Sequence, residues 1–125
     1  MSVPILKQGP FLIASIQSAL TDTDVLQLRD DVMAQVTRHR SKGIIVDVTS
    51  LDVMDSFVSR SLQGIARMTR LRGDETVIVG IQPEVAFAMV QLGLTFEDIH
   101  TALDLEEGLA YLNRRTVSGT SADDH

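Results

Sequence analysis

An α/β fold, with a mixed and mostly parallel β-sheet opened by an N-terminal hairpin and about four helices packed on it, is what this sequence predicts. Three observations predict it. Apolar, β-branched runs recur at Phe11–Ile16, Ile44–Val48 and Thr76–Ile81, each short enough for a strand. Between and after them, apolar residues recur at three- and four-residue spacing, the period of a helix with one buried face. Gln8-Gly9-Pro10 separates the first two strand-like runs by a tight turn. Strands that alternate with helices after such a hairpin are expected to pair in parallel.

Val3-Pro4-Ile5-Leu6-Lys7 is the first strand, and Pro4 near its start suits an edge better than a centre. Phe11 to Ile16 is the second. Thr21-Asp22-Thr23-Asp24 is crowded with capping residues and acids that favour a helix N-terminus. The helix runs to about Arg40, with Val25, Leu28, Val32 and Val36 on one face and Gly43 close behind its end. After the strand at about 44–48, Val58, Leu62, Ile65, Thr69 and Arg72 recur at helical spacing until Arg72-Gly73-Asp74 breaks the pattern. Thr76 to Ile81 is another central strand. Gln82-Pro83 opens a third helix, with Pro in the first turn, apolar positions at Val85, Ala86, Met89 and Val90, and a stop at Gly93. A short strand is expected near Ile99 to Thr101. Asp104 then caps a last helix with Glu107 three residues on, and Leu105, Leu109 and Leu112 face inward. Residues 1–115 form one domain on this pattern. Residues 116–125, rich in Ser, Gly, Thr and Asp, are expected to be a disordered tail.

Composition removes several function classes. The 125 residues contain no cysteine, which excludes disulfides, thiolate zinc sites and cysteine nucleophiles. Seventeen acids against 11 Lys and Arg give a formal charge of −6, which argues against sequence-independent nucleic-acid binding. No apolar run approaches the roughly 20 residues needed to cross a bilayer, and no leader pattern opens the chain, so no membrane contact and a cytoplasmic location are expected. His39, His100 and His125 are scattered, so no metal site is expected. There is no glycine-rich phosphate loop, hence no expected cofactor or nucleotide site. No histidine base is coupled to a serine, so no catalytic residues and no enzymatic activity are expected.

One corner stands out. The strand Ile44–Val48 leads through Thr49, Ser50 and Asp52 to Asp55-Ser56 at the start of the second helix. Ser56 is the expected N-cap, its hydroxyl near the unpaired N–H groups of the first turn and beside a carboxylate. On spacing alone the pattern is more often a plain cap than an acceptor for a phosphoryl group. Ser59, at about the third helical position, is expected to be exposed in the same turn, whereas Ser61 lies next to the Leu62 face. Phe57 is either a knob for a partner or an anchor for the helix start.

Ile45-Val46-Asp47-Val48-Thr49-Ser50, Met54-Asp55-Ser56-Phe57, Gly80-Ile81-Gln82-Pro83 and Thr101-Ala102-Leu103-Asp104-Leu105-Glu106 resemble the STAS domains of the anti-sigma-factor antagonist family. The resemblance runs in register to about Arg115. One departure is clear: many members continue after the serine with Ser-Gly-Leu, where this chain has Phe57-Val58-Ser59.

The resemblance implies a single STAS domain and a non-enzymatic regulator of bacterial stress signalling. It implies phosphorylation on the serine after the aspartate, Ser56, with Ser59 as the alternative. Asp52, Asp55, Ser56, Phe57 and Ser59 would then form a partner-binding surface. The implied role is a stressosome core scaffold, a homo-oligomer that also assembles with RsbR-type STAS paralogues. Such a scaffold would hold an RsbT-type switch serine/threonine kinase until phosphorylated, and an RsbX-type phosphatase would reset it. Two alternatives remain open on the sequence: a free anti-anti-sigma factor that binds an anti-sigma kinase directly, and a small ligand-sensing STAS module.

Overall fold

The computed structural model describes residues 3–123, with side chains as far as Thr116. Its order is β1 (Ile5–Gln8), β2 (Phe11–Ser15), α1 (Asp22–His39), β3 (Gly43–Asp47), α2 (Ser56–Leu71), β4 (Glu75–Val79), α3 (Pro83–Gln91), β5 (His100–Ala102) and α4 (Leu105–Asp123). The strands form one sheet in the order β1-β2-β3-β4-β5. The hairpin pair β1/β2 is antiparallel, and the three other pairings are parallel. The expected mixed sheet with four helices is what forms.

The central strands are apolar throughout because helices cover both faces. On one face Leu12, Ala14, Ile44, Val46 and Ile78 meet Val25, Leu28, Val32 and Val36 of α1 and Val58, Leu62 and Ile65 of α2, with Val85 and Met89 of α3. On the other, Phe11, Ile13, Ile45, Val77 and Val79 meet Leu112 of α4. Register enforces the alternation: Ile13 pairs with Ile45 and Ile45 with Val77, so all three point to α4. Each such side chain fully buried contributes about 1.5–3 kcal/mol.

The close seating of α4 depends on small residues. A Cβ on Gly108 would come within 2.7 Å of Val79 Cγ1, so the missing side chain lets the helix approach β4. At the far end of the contact, the Tyr111 hydroxyl donates to Glu75, and Arg115 Nε lies 3.2 Å from Glu75 Oε1. The Tyr111 ring stacks on His100 with centroids 3.6 Å apart.

Several boundaries differ from expectation. Arg40, not Gly43, carries the left-handed conformation that ends α1, at φ 50°. Gly43 begins β3 instead, where a Cβ would press within 2.9 Å of Leu112. Val90 of α3 faces outward, 69% exposed, and Arg72 is an exposed C-cap rather than part of the buried stripe. Leu112 is buried, while Leu105 and Leu109 are half-buried. Of the expected tail, residues 116–125, the backbone as far as Asp123 continues α4, side chains are described to Thr116, and residues 124–125 lie outside the described residues.

Candidate functional site

The Asp55-Ser56 corner lies beyond the C-terminal end of β3, beside the exit of β4. Parallel pairing brings the two exits together, because Asp47 aligns with Val79. In open α/β sheets this end of the strands is where ligands and partners are commonly met. The chain turns immediately: Leu51 N–H donates to Val48 O at 3.0 Å, and Asp47 Oδ1 accepts from both the N–H (2.9 Å) and the hydroxyl (2.6 Å) of Thr49. Leu51 and Met54 are buried and pin the loop to the larger core, leaving Asp52 and Val53 exposed between them.

A second clamp comes from the next strand exit. Gln82 Nε2 donates to Thr49 O at 2.6 Å. Gly80 passes so close that a Cβ would lie 2.0 Å from Thr49 Oγ1, and its φ of +81° is also one that a side chain disfavours. Gly80-Ile81-Gln82-Pro83 therefore braces the loop that leads to Ser56. Asp47, Thr49, Gly80 and Gln82 were not among the expected site residues. Their contribution is to hold the backbone, which spacing along the chain does not reveal.

The helix start is shifted by one residue from expectation. Asp55 is the N-cap, with Oδ1 accepting the Val58 N–H at 2.8 Å, and Ser56 is the first helical residue. Both types cap well, and the carboxylate is the stronger acceptor for an N–H at the positive helix end. Ser56 is thereby relieved of capping. Its side chain is half-buried, and its hydroxyl has no hydrogen-bond partner among the described residues. Asp52 and Asp55 are exposed on the same corner.

Ser59 departs from expectation most sharply. It is fully buried, on the stripe it shares with Leu62, Ala66 and Thr69, and its Oγ has no partner among the described residues. The expected exposure in the first turn is corrected: the 59-62-66-69 spacing is itself an inward face, and the polar identity of Ser59 concealed it. Ser61 is half-buried. Phe57 is half-buried and packs against the larger core, so it anchors the helix start. Among the described residues no group of three or more potential metal ligands comes together. His39 ends α1, His100 lies on β5, and His125 is outside the described residues. Among the described residues no helix is long and apolar enough to cross a membrane.

A mixed five-stranded sheet with a hairpin edge, and an Asp-Ser step braced at the exit of its third strand, defines the class. The chain belongs to the STAS domain family, whose model matches residues 2–108. Within it, the chain is similar to RsbS of Moorella thermoacetica, solved as a serine-to-glutamate variant: 34% identity, 91% of this chain and 97% of that one, TM-score 0.79. It is similar also to a chain in the molecular architecture of the stressosome, at 33% identity over 90% of this chain and 98% of that one, TM-score 0.75. Among characterised sequences it resembles the RsbT co-antagonist protein RsbRA of Bacillus subtilis, 28% identical over 83 residues, or 66% of this chain. The match spans about 30% of RsbRA's length. The fold and the likeness to stressosome STAS proteins therefore agree with the expectation drawn from sequence.

Proposed function

We propose that this chain is a non-enzymatic regulator of a bacterial stress-signalling pathway, a scaffold of a stressosome-type core in the cytoplasm. It holds a switch serine/threonine kinase of the RsbT type while Ser56 is unmodified, and releases it once Ser56 is phosphorylated. STAS paralogues of the RsbR type co-assemble with it, and a phosphatase of the RsbX type resets it. The likeness to RsbS over nearly all of both chains supports the scaffold role. The likeness to RsbRA supports a shared assembly with co-antagonists.

The observation that carries the modification is the division of labour between Asp55 and Ser56. Asp55 Oδ1 accepts the Val58 N–H, so the carboxylate holds the helix, and no hydrogen bond couples it to the serine hydroxyl among the described residues. Ser56 is left half-buried at the first helical position, with a hydroxyl that no described residue engages. Such a hydroxyl is a poor nucleophile by itself but a good substrate, because a kinase brings the base, the metal and the nucleotide. The serine oxygen bonds the γ-phosphorus, the bond to the β,γ-bridging oxygen breaks, ADP departs, and the serine proton goes to the kinase's base.

The product adds about −1.5 to −2 charges at pH 7. The helix end offsets about 0.3–1 kcal/mol of the cost of placing them there, and Asp52 and Asp55 oppose it. These effects nearly balance within the protein. They do not balance under a bound partner, where a dianion beside two acids has to be desolvated. The switch is a change of surface, not of fold.

The test is incubation with candidate switch kinases and ATP, followed by mass-spectrometric site mapping, on wild type and Ser56→Ala. Phosphate on Ser56, and its loss in the alanine variant, is expected. Since Asp55 carries the cap, the variant should stay within about 0.5 kcal/mol of wild type, below the usual cost of losing a cap. Label persisting at the wild-type rate in Ser56→Ala would remove the assignment.

A further inference from the structure

On the outer face of α2, Arg60, Gln63, Arg67 and Arg70 follow at intervals of three, four and three residues, one stripe along the helix. Opposite them runs the segment from Gly93 to Ile99, between α3 and β5, and the two walls enclose an open cleft of about 340 Å³. The far wall is fixed to the helix through its backbone. Gln63 Nε2 donates to Thr95 O at 2.6 Å, and Arg70 Nη2 donates to Asp98 O. Buried Ala66 and Ile99 form part of the lining.

Arg60 and Arg67 are exposed and unengaged. Neither lies within 4.0 Å of a carboxylate among the described residues, although Glu97 and Asp98 also line the cleft. Two free guanidiniums and a third holding the wall form a cationic stripe of roughly 15 Å, from ten residues of helical rise. This occurs on a chain whose formal charge is −6. The stripe begins one turn beyond Ser56. A helical side chain leans toward the N-terminus, which puts the turn that starts with Ser56 within reach of the Arg60 side chain.

We propose that this cleft docks an acidic segment of the protein partner that reads Ser56, and that Arg60 belongs in turn to that segment and to the phosphate. The inference rests on Ser56 being the phosphoacceptor. Before modification, carboxylates of the partner pair with Arg60 and Arg67 along the helix wall, and the acids Glu97 and Asp98 on the opposite wall keep the segment on the arginine side. After modification, the phosphate at Ser56 and the guanidinium at Arg60 stand in the favoured acid-then-base order at four-residue spacing. The phosphate draws Arg60 from the docked segment, and the near end of the cleft loses its cation. Arg67 lies too far along the helix to take part in that exchange and reports docking alone.

Two measurements test this. In the first, the RsbT-type kinase is captured by wild type, Arg67→Glu and Lys7→Glu; Lys7 is exposed on β1 at the opposite edge of the sheet, and its reversal changes net charge equally. Arg67→Glu should weaken capture about tenfold or more, and Lys7→Glu by less than about threefold. Arg60→Gln should shrink the affinity difference between phosphorylated and unmodified protein. In the second, a hexaglutamate peptide is titrated onto the full chain by NMR. Saturable shifts confined to residues 60–70 and 93–99, abolished by Arg67→Glu, are expected. Wild type that captures kinase no better than Arg67→Glu does overturns the docking site while leaving the Ser56 reading intact. Absence of kinase capture by wild type removes the Ser56 reading, and the peptide titration still decides the cleft. Saturation there by inorganic pyrophosphate but not by the peptide makes it a small-anion site and overturns the proposal.

Discussion

Ser59 places a hydroxyl with no described partner at complete burial inside α2, where alanine would fit the same space. An unpaired buried polar group costs about 1–3 kcal/mol. Alanine also favours the helix slightly more than serine. Ser59→Ala is therefore expected to raise stability by about 1 kcal/mol in urea unfolding. A clear loss of stability instead would mean that Ser59 Oγ is bonded in solution. The same burial bears on modification, since a kinase would have to unwind the first turn of α2 to reach this serine.

Asp74 offers a second test at the residue scale. It is buried at 3% exposure, and the Ser41 hydroxyl donates to it. Burial pushes its carboxyl above the ordinary value, against the opposing pull of the Ser41 bond and of Lys42 and Arg72. The folded state thus holds this proton more tightly than the unfolded chain. The corresponding stability is complete below the unfolded carboxyl value of about 3.9 and is lost as pH rises through the folded one. Asp74→Asn keeps an acceptor for Ser41 and removes the titration. Between pH 3 and pH 7, wild type should therefore lose stability relative to Asp74→Asn. A relative gain would show that the neighbouring cations outweigh burial.

At the scale of elements, the strands and helices were legible because each carries its own period. The apolar run Ile44–Val48 and the α1 stripe need no tertiary knowledge to be recognised. What was not legible depends on neighbours distant in sequence. Asp55 and Ser56 are both cap formers, and the choice between them follows from how the braced loop delivers the backbone. Arg40 takes a left-handed conformation that no local signal marks. The arginine stripe of α2 reads as an ordinary solvated face until the Gly93–Ile99 segment closes over it. Gly80 shows the same dependence, since its need for no side chain arises from Thr49 on another strand exit. Gly80→Ala should cost about 2–4 kcal/mol, from the disfavoured φ together with the overlap. Hydrogen exchange should quicken first at the Thr49–Val58 amides. An unchanged denaturation midpoint would mean that Thr49 can move aside freely, and the brace would not exist.

At the scale of the whole molecule, the chain is acidic, and its corner carries acids already, so the proposed release by phosphorylation is a question of field as well as contact. Ser56→Asp should weaken kinase capture, whereas Ser56→Ala should preserve it. Aspartate adds one charge beside Asp55 on a surface the partner has to desolvate; alanine adds none and removes only a small hydroxyl. The effect should be partial, because a carboxylate brings about half the charge of phosphoserine at pH 7 and lacks its third oxygen. Salt separates two origins. Charges that stay partly solvated in the complex are screened over about 8–10 Å at physiological ionic strength, so the gap between the variants should narrow as salt rises. A gap that persists at high salt would place the added charge in a dry contact instead, where desolvation acts alone. Capture is measured across the salt series, with circular dichroism confirming equal folding. Equal retention of kinase by both variants at low salt would show that the partner does not read charge at Ser56, and release by phosphorylation would have to act through shape.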